Sequence, residues 1–247
     1  MRIRGFCEQC QNNSIAELID VELTNNNLYK FTCKNGHTTN ILLKNLKFEI
    51  LFDIAISAFL DGYPREAIAT ASSALERFYE FYIYIICIKN NIPQELFNKT
   101  WNEISKQSER QYGAFLFLYL IDNPSNCEPL TIYNKSPKKN KKSWSSFRNK
   151  VIHEGYIPTR KDSYIYLAFI YKHICQLITK LKINNEEYIF KATLKSEPNI
   201  NTQISIETIF KINRMKEYPI SLAQAIKAYH TWEEKHKKQV TISILNY

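Results

Sequence analysis

Two groups of residues in this chain have the types and spacing to do chemistry. The first is Arg148, Asn149 and His153, with four residues between the arginine and the histidine, in the run Ser145-Ser-Phe-Arg148-Asn149-Lys-Val-Ile-His153-Glu-Gly155-Tyr-Ile-Pro158-Thr. A guanidinium is permanently charged and fork-shaped, so it can hold a phosphate. An imidazole titrates near neutrality, so it can move a proton. The second group is Cys7-Glu-Gln-Cys10 and, after 22 intervening residues, Cys33-Lys-Asn-Gly36-His37. Three thiolates and one imidazole in two close pairs suit a tetrahedral zinc ion.

Arginine and histidine together fit metal-free RNA cleavage. The ribose 2′-oxygen attacks, charge builds on the phosphorus oxygens, and the 5′-oxygen leaves with a proton. Arg148 would stabilise that charge and His153 would supply the proton. Asn149 and His153 are four apart, so on a helix they share a face. Arg148 lies farther round, within reach of a long side chain. His153 falls in the last turn, where the helix dipole favours the imidazolium and hence the acid role. Asn149 would orient the phosphate or the histidine. The plainer reading is an exposed arginine and a histidine that only caps its helix.

The zinc site has all four positions filled by protein, so its expected role is structural, and a module this small folds only with its metal. Gly36 lets the second knuckle turn tightly. Ile19, Val21 and Leu23 alternate with polar residues, as do Tyr29 and Phe31, on either side of Asn25-Asn26-Asn27. That pattern predicts one hairpin with an asparagine-rich tip and a zinc ribbon over 1–45. Nucleic acid, a partner protein and the helical domain are all open as its contacts.

From residue 46 the apolar period becomes helical. Leu46, Ile50, Leu51, Ile54 and Phe59 mark a first helix over 46–60, stopped at Asp61-Gly62. Pro64 opens a long second helix to about Lys89, with Ala67, Ala71, Ala74, Leu75, Phe78 and Tyr82 on its buried face. Pro93 opens another to about Lys106, and Tyr112–Ile121 is a further apolar segment. A lysine-rich loop spans 123–142 and includes Lys135, Lys138, Lys139, Lys141 and Lys142. The motif helix begins near Ser143 and ends at Gly155, with Pro158 just beyond. Thr159-Arg-Lys-Asp162 opens the next helix, which runs to about 182. Beyond 186 the pattern is less regular. Residues 204–215 read as helical, 221–237 as a capped helix, and Val240, Ile242 and Ile244 as a short strand.

The run from Phe147 to Pro158 closely resembles the signature of HEPN-domain ribonucleases; over roughly 50–183 the rest matches in pattern. The resemblance implies a mainly α fold, an antiparallel HEPN-like helical bundle preceded by the small β zinc ribbon. It places a HEPN-like domain over 46–185 and leaves 186–247 as a mostly helical extension. It also implies a homodimer whose two motifs form one composite site, and products ending in a 2′,3′-cyclic phosphate. Family members often carry a polar or acidic residue on the long second helix near the site, and Glu76 is the candidate here. The family is common among toxins and antiviral defence effectors, where a regulatory protein partner fits.

A net charge of +9 favours a polyanionic partner such as RNA. Lys138, Lys139, Lys141, Lys142 and Lys150 can track its backbone, or can belong to a solvated loop. Trp144 and Phe147 can stack on bases or pack in the core. His173 reads as an ordinary helix residue, His230 and His236 have no partner pattern, and Cys87, Cys127 and Cys175 read as structural. Met1-Arg-Ile-Arg leads into cysteine-bearing sequence, so no signal peptide is expected. The apolar run Tyr82–Ile88 is far short of the ~20 residues that cross a bilayer. A cytoplasmic protein with reduced cysteines, making no membrane contact, is therefore expected. With no glycine-rich phosphate loop, ATP use is disfavoured. A non-catalytic nucleic-acid-binding or scaffold protein, using the ribbon and the basic surface, is the alternative; a protein-interaction adaptor is a third.

Overall fold

The computed structural model describes residues 2–11, 18–22, 25, 28–125, 143–195, 204–206, 222–224 and 226–227. The chain is mainly helical, with a small β module at its N-terminus. The module comprises β1 (Arg2–Phe6), a short helix α1 (Glu8–Gln11), β2 (Leu18–Glu22), β3 (Leu28–Thr32) and β4 (Thr38–Leu43). Six longer helices follow: α2 (Lys47–Leu60), α3 (Pro64–Lys89), α4 (Gln94–Ile104), α5 (Ser108–Asp122), α6 (Trp144–His153) and α7 (Arg160–Lys195). A last strand, β5, is Ile204–Ile206.

The single hairpin expected between β2 and β3 is not what forms. β1 pairs antiparallel with β2, and β3 pairs antiparallel with β4, in two separate sheets. Each Cys/His pair therefore sits at the turn side of its own hairpin. The asparagine run expected at a hairpin tip instead lies between strands of different sheets. Residues 204–206 are likewise extended rather than helical, pairing parallel with β4 from Ile41↔Ile204 to Leu43↔Ile206. Ile-Ser-Ile is a period-two pattern, and the free edge of β4 offers the hydrogen bonds that a short strand lacks alone.

Helix α3 is the axis of the bundle. Pro64 stands at its first turn, and Ala67, Ala71, Ala74, Leu75, Phe78 and Tyr82 are all buried, as the pattern predicted. Helix α2 buries Phe48, Phe52, Ala55, Ile56 and Phe59, a face rotated from the one expected. The three phenylalanines win the core side because they remove more apolar area from water than the isoleucines. Ile50 instead packs against the small core of the β module, with Tyr29, Ile41 and Leu43. Glu49 is buried at the junction, accepting hydrogen bonds from Leu46 N–H (2.8 Å) and Asn45 Nδ2 (3.2 Å).

The bundle is of mixed direction, not the uniformly antiparallel one expected. α2 runs antiparallel to α3 and α7: Phe48 meets Phe78, and Phe52 and Phe59 meet Tyr171 and Tyr164. α3 and α7 run parallel, since Pro64 O accepts from Ser163, Ser72 bonds Tyr166, and Tyr79 meets His173. α5 also runs parallel to α3, because α4 first folds back along α3 through Tyr84–Phe97 and Arg77–Trp101. Helix α5 then starts level with Arg77, at Gln111, and runs with α3 until Lys89 meets Asp122.

Helix α7 is longer than expected, continuing to Lys195 past a non-helical bend at Asn185. Ile189 and Ala192 stay on the buried side and carry the apolar stripe beyond the bend. Asp122 holds the bend in place, accepting from Asn185 Nδ2 (3.0 Å), Tyr82 Oη (3.2 Å) and Lys89 Nζ (2.6 Å). Expectations for residues 207–215 and 228–247, including the final strand at Val240–Ile244, lie outside the described residues, as does most of the 123–142 loop. Among the described residues no helix is long and apolar enough to cross a membrane.

His173 is 2% exposed, stacked on Phe169 and near Tyr79 Oη (3.4 Å). Burial pushes its pKa down to about 4. The folded value lies below the unfolded one near 6.5, so the stabilising neutral form is fully retained above pH 6.5. That stability is lost as pH falls from about 6.5 toward 4, by roughly 3 kcal/mol over the window. Urea denaturation from pH 7 to 4.5 should therefore show a steeper acid loss in the native chain than in His173→Gln. Parallel pH profiles for the two would contradict this.

Candidate functional site

The motif helix α6 is built as its sequence directs. Ser143 caps it, its hydroxyl accepting from Ser146 N–H (3.2 Å). Val151 is fully buried and anchors the helix to the bundle. Trp144 stacks on Phe169 (4.8 Å) and Phe147 packs on Tyr166 (5.8 Å), so both serve packing here. The helix stops at Glu154, followed by Gly155 at φ +69°, a conformation that glycine adopts without strain.

On this helix Arg148 is held at both ends of its fork. One terminal nitrogen donates to Asn149 Oδ1 (2.8 Å) and the other to Glu76 Oε1 on α3 (2.8 Å). The Arg148 side chain is only 14% exposed and that of Glu76 24%, so the ion pair is largely shielded from water. Charge-assisted bonds in such surroundings fix geometry more firmly than a surface pair does. Asn149 thus touches the arginine, rather than the histidine four residues on. His153 is exposed, and no hydrogen bond joins its imidazole to another described residue. Arginine, asparagine and glutamate are brought together, with the histidine one helical turn from Asn149.

Lys150 is partly exposed, and its Nζ sits 4.0 Å from the centroid of the Tyr156 ring. Lys138, Lys139, Lys141 and Lys142 lie outside the described residues, as do Cys127, His230 and His236. Burial raises the thiol pKa of Cys87, and that of Cys175 to about 11, which fits an inert structural role.

The four metal-ligating candidates do converge. Their donor atoms lie within 4.8 Å of one another. Cys10 Sγ is 3.7 Å from Cys33 Sγ, and His37 Nδ1 is 3.3 Å from Cys10 Sγ and 3.8 Å from Cys7 Sγ. A tetrahedral ion bonded at ~2.3 Å to sulfur and ~2.0 Å to nitrogen separates its ligands by about 3.5–3.8 Å. The donor set therefore fits a closed four-ligand site, with His37 presenting Nδ1. Gly36, at φ +80°, gives the second knuckle its turn, and Cys33 N–H bonds back to His37 O (2.9 Å).

The sequence reading missed the groups around the sulfurs. Asn35 Nδ2 donates to Cys10 Sγ (3.4 Å). Burial opposes ionisation of Cys7, but hydrogen bonds from Cys10, Thr39 and Cys33 outweigh it and bring that thiol down to about 6. At Cys10 the Asn35 bond favours the thiolate, yet burial and the neighbouring Cys7 and Cys33 sulfurs raise the pKa overall. The signal for Asn35 was its place inside the knuckle, two residues after Cys33.

No family model, curated protein or solved structure matches the chain.

A titration with cobalt(II) should give thiolate-to-metal charge-transfer absorption and saturate at a single ion per chain. Cys10→Ala should weaken binding and loosen the β module while leaving helical circular dichroism largely intact. Tight binding that survives in Cys10→Ala would contradict the four-ligand site.

Proposed function

We propose that the chain is a metal-independent endoribonuclease of the HEPN type, with a structural zinc module at its N-terminus. The observation that carries this reading is the Glu76–Arg148–Asn149 cluster, with an exposed His153 one helical turn on from Asn149. A fixed guanidinium and a solvent-facing imidazole on the same helix would supply both requirements of 2′-hydroxyl attack: charge stabilisation on the phosphorus oxygens and a proton for the leaving 5′-oxygen. Arg148 takes the first role and His153 the second. Asn149 and Glu76 act as positioning residues that hold the guanidinium, and their acceptor oxygens leave its remaining N–H donors for phosphate. The products carry a 2′,3′-cyclic phosphate, and two protomers pair their motifs in one composite site. Zinc suits three sulfurs and one imidazole, and with four protein ligands it keeps no open position for substrate.

A second reading draws on the same cluster. Both arms of Arg148 are already engaged, as in an arginine that staples one helix to another. On that reading the protein binds nucleic acid through its basic surface without cutting it.

Cleavage of single-stranded RNA by purified protein in EDTA separates the two, with zinc content and folding followed in parallel. Cleavage with cyclic-phosphate ends that falls by about 10²–10⁴-fold in His153→Ala is the expected result. Arg148→Ala should cost about 10²–10³-fold. Mixed dimers of the two variants should regain part of the activity. A folded, zinc-loaded chain that binds RNA but leaves it intact would select the second reading.

A further inference from the structure

The six-residue turn between α6 and α7 carries a pattern of its own. At its start Lys150 Nζ is seated over the Tyr156 ring at 4.0 Å. At its end the Arg160 guanidinium is seated over the Phe59 ring at 4.7 Å. His153 lies between the two in sequence, one helical turn after Lys150. Tyr156 is four positions before Arg160, so these two positions lie within about 14 Å of each other. The buried Pro158 and the return of both Glu154 N–H and Tyr156 N–H to Lys150 O give the turn a fixed path.

We propose that this turn is a track for the phosphate backbone of single-stranded RNA, with Lys150 and Arg160, which bracket His153 in the chain, as two phosphate seats. The inference rests on the reading that RNA is the ligand. A cation on an aromatic face keeps its outward donors free while the ring replaces part of its hydration, so it can meet a phosphate at reduced desolvation cost. Its position is also set in advance, which lowers the side-chain entropy lost on binding. The local charge agrees. Lys161 adds a further exposed cation, and Glu154 is the one acid between Lys150 and Lys161; Asp162, beyond them, accepts from Thr159 Oγ1 (2.7 Å).

The test is the salt dependence of binding to a 2′-O-methyl oligouridylate, which lacks the attacking hydroxyl and stays intact. Lys150→Gln and Arg160→Gln should each weaken binding several-fold. Each should also reduce the slope of log affinity against log salt by about 0.7, the value for one lost contact to a single strand. Lys150→Arg and Arg160→Lys should keep the native slope, which separates loss of charge from misfolding. Unchanged slopes in both glutamine variants, or no binding by the native chain, would overturn the track. Cleavage of ordinary RNA run alongside keeps the two readings apart. A chain that cuts RNA while its slopes ignore both substitutions loses the track alone. A chain that shows both slope losses but never cuts loses the nuclease reading alone.

Discussion

Helix α3 is packed on by α2, α4, α5, α6 and α7, and the arrangement of the other helices follows from how its faces are filled. Its first half presents Ala67, Ala71 and Ala74, all fully buried, so α2 and α7 can approach closely on either side. Its second half presents Phe78, Tyr79 and Tyr82, which need wider gaps and receive Phe115 and Tyr119 from α5. Where α3 must carry polar groups inside this packing, each has a partner. Ser72 bonds Tyr166 (2.9 Å), Arg77 bonds Glu80 and Gln111, and Glu76 bonds Arg148. Unpaired, such groups would each cost a desolvation penalty.

The candidate site is a product of that rule. Glu76 lies at the margin where α6 crosses α3, too shielded to be solvated like a surface carboxylate, and a guanidinium from 72 residues away meets it. The same contact that satisfies Glu76 fixes Arg148, and the short polar Asn149 completes the clamp from the neighbouring position. His153 escapes the packing because α6 ends there. Gly155 turns the chain away before the imidazole can be covered. Shielded arginine and exposed histidine are thus two consequences of one helix leaving the bundle.

The β module is joined to the helices by two routes. Ile50 reaches from α2 into the core that holds the sulfurs, and β5 returns from beyond α7 to pair with β4, the strand that begins one residue after His37. A metal bound at the second knuckle would therefore also order the strand with which Ile204–Ile206 pairs. The bend at Asn185, tied to Asp122, redirects α7 before that return.

Much of this was determined by the sequence alone, wherever the signal was local. Gly62 ended α2 and Pro64 opened α3, Ser143 and Gly155 bounded α6, and the two Cys/His pairs named a candidate metal site whose donor atoms do converge. These features depend on φ/ψ preferences, capping and ligand chemistry, which act over a few residues. Glu76 was suggested through a family resemblance; its contact with Arg148 exists only once α3 and α6 pack. Tertiary structure decided what depends on distant partners. The strand pairings β1–β2 and β3–β4 place each knuckle in its own hairpin, and the parallel course of α3 with α5 follows from the return of α4. The rotation of α2 follows from competition between two faces for one core, and 204–206 became a strand because β4 had a free edge. Hydrophobic period and turn residues encode an element, but which element it meets is set by the space and hydrogen bonds left open by all the others.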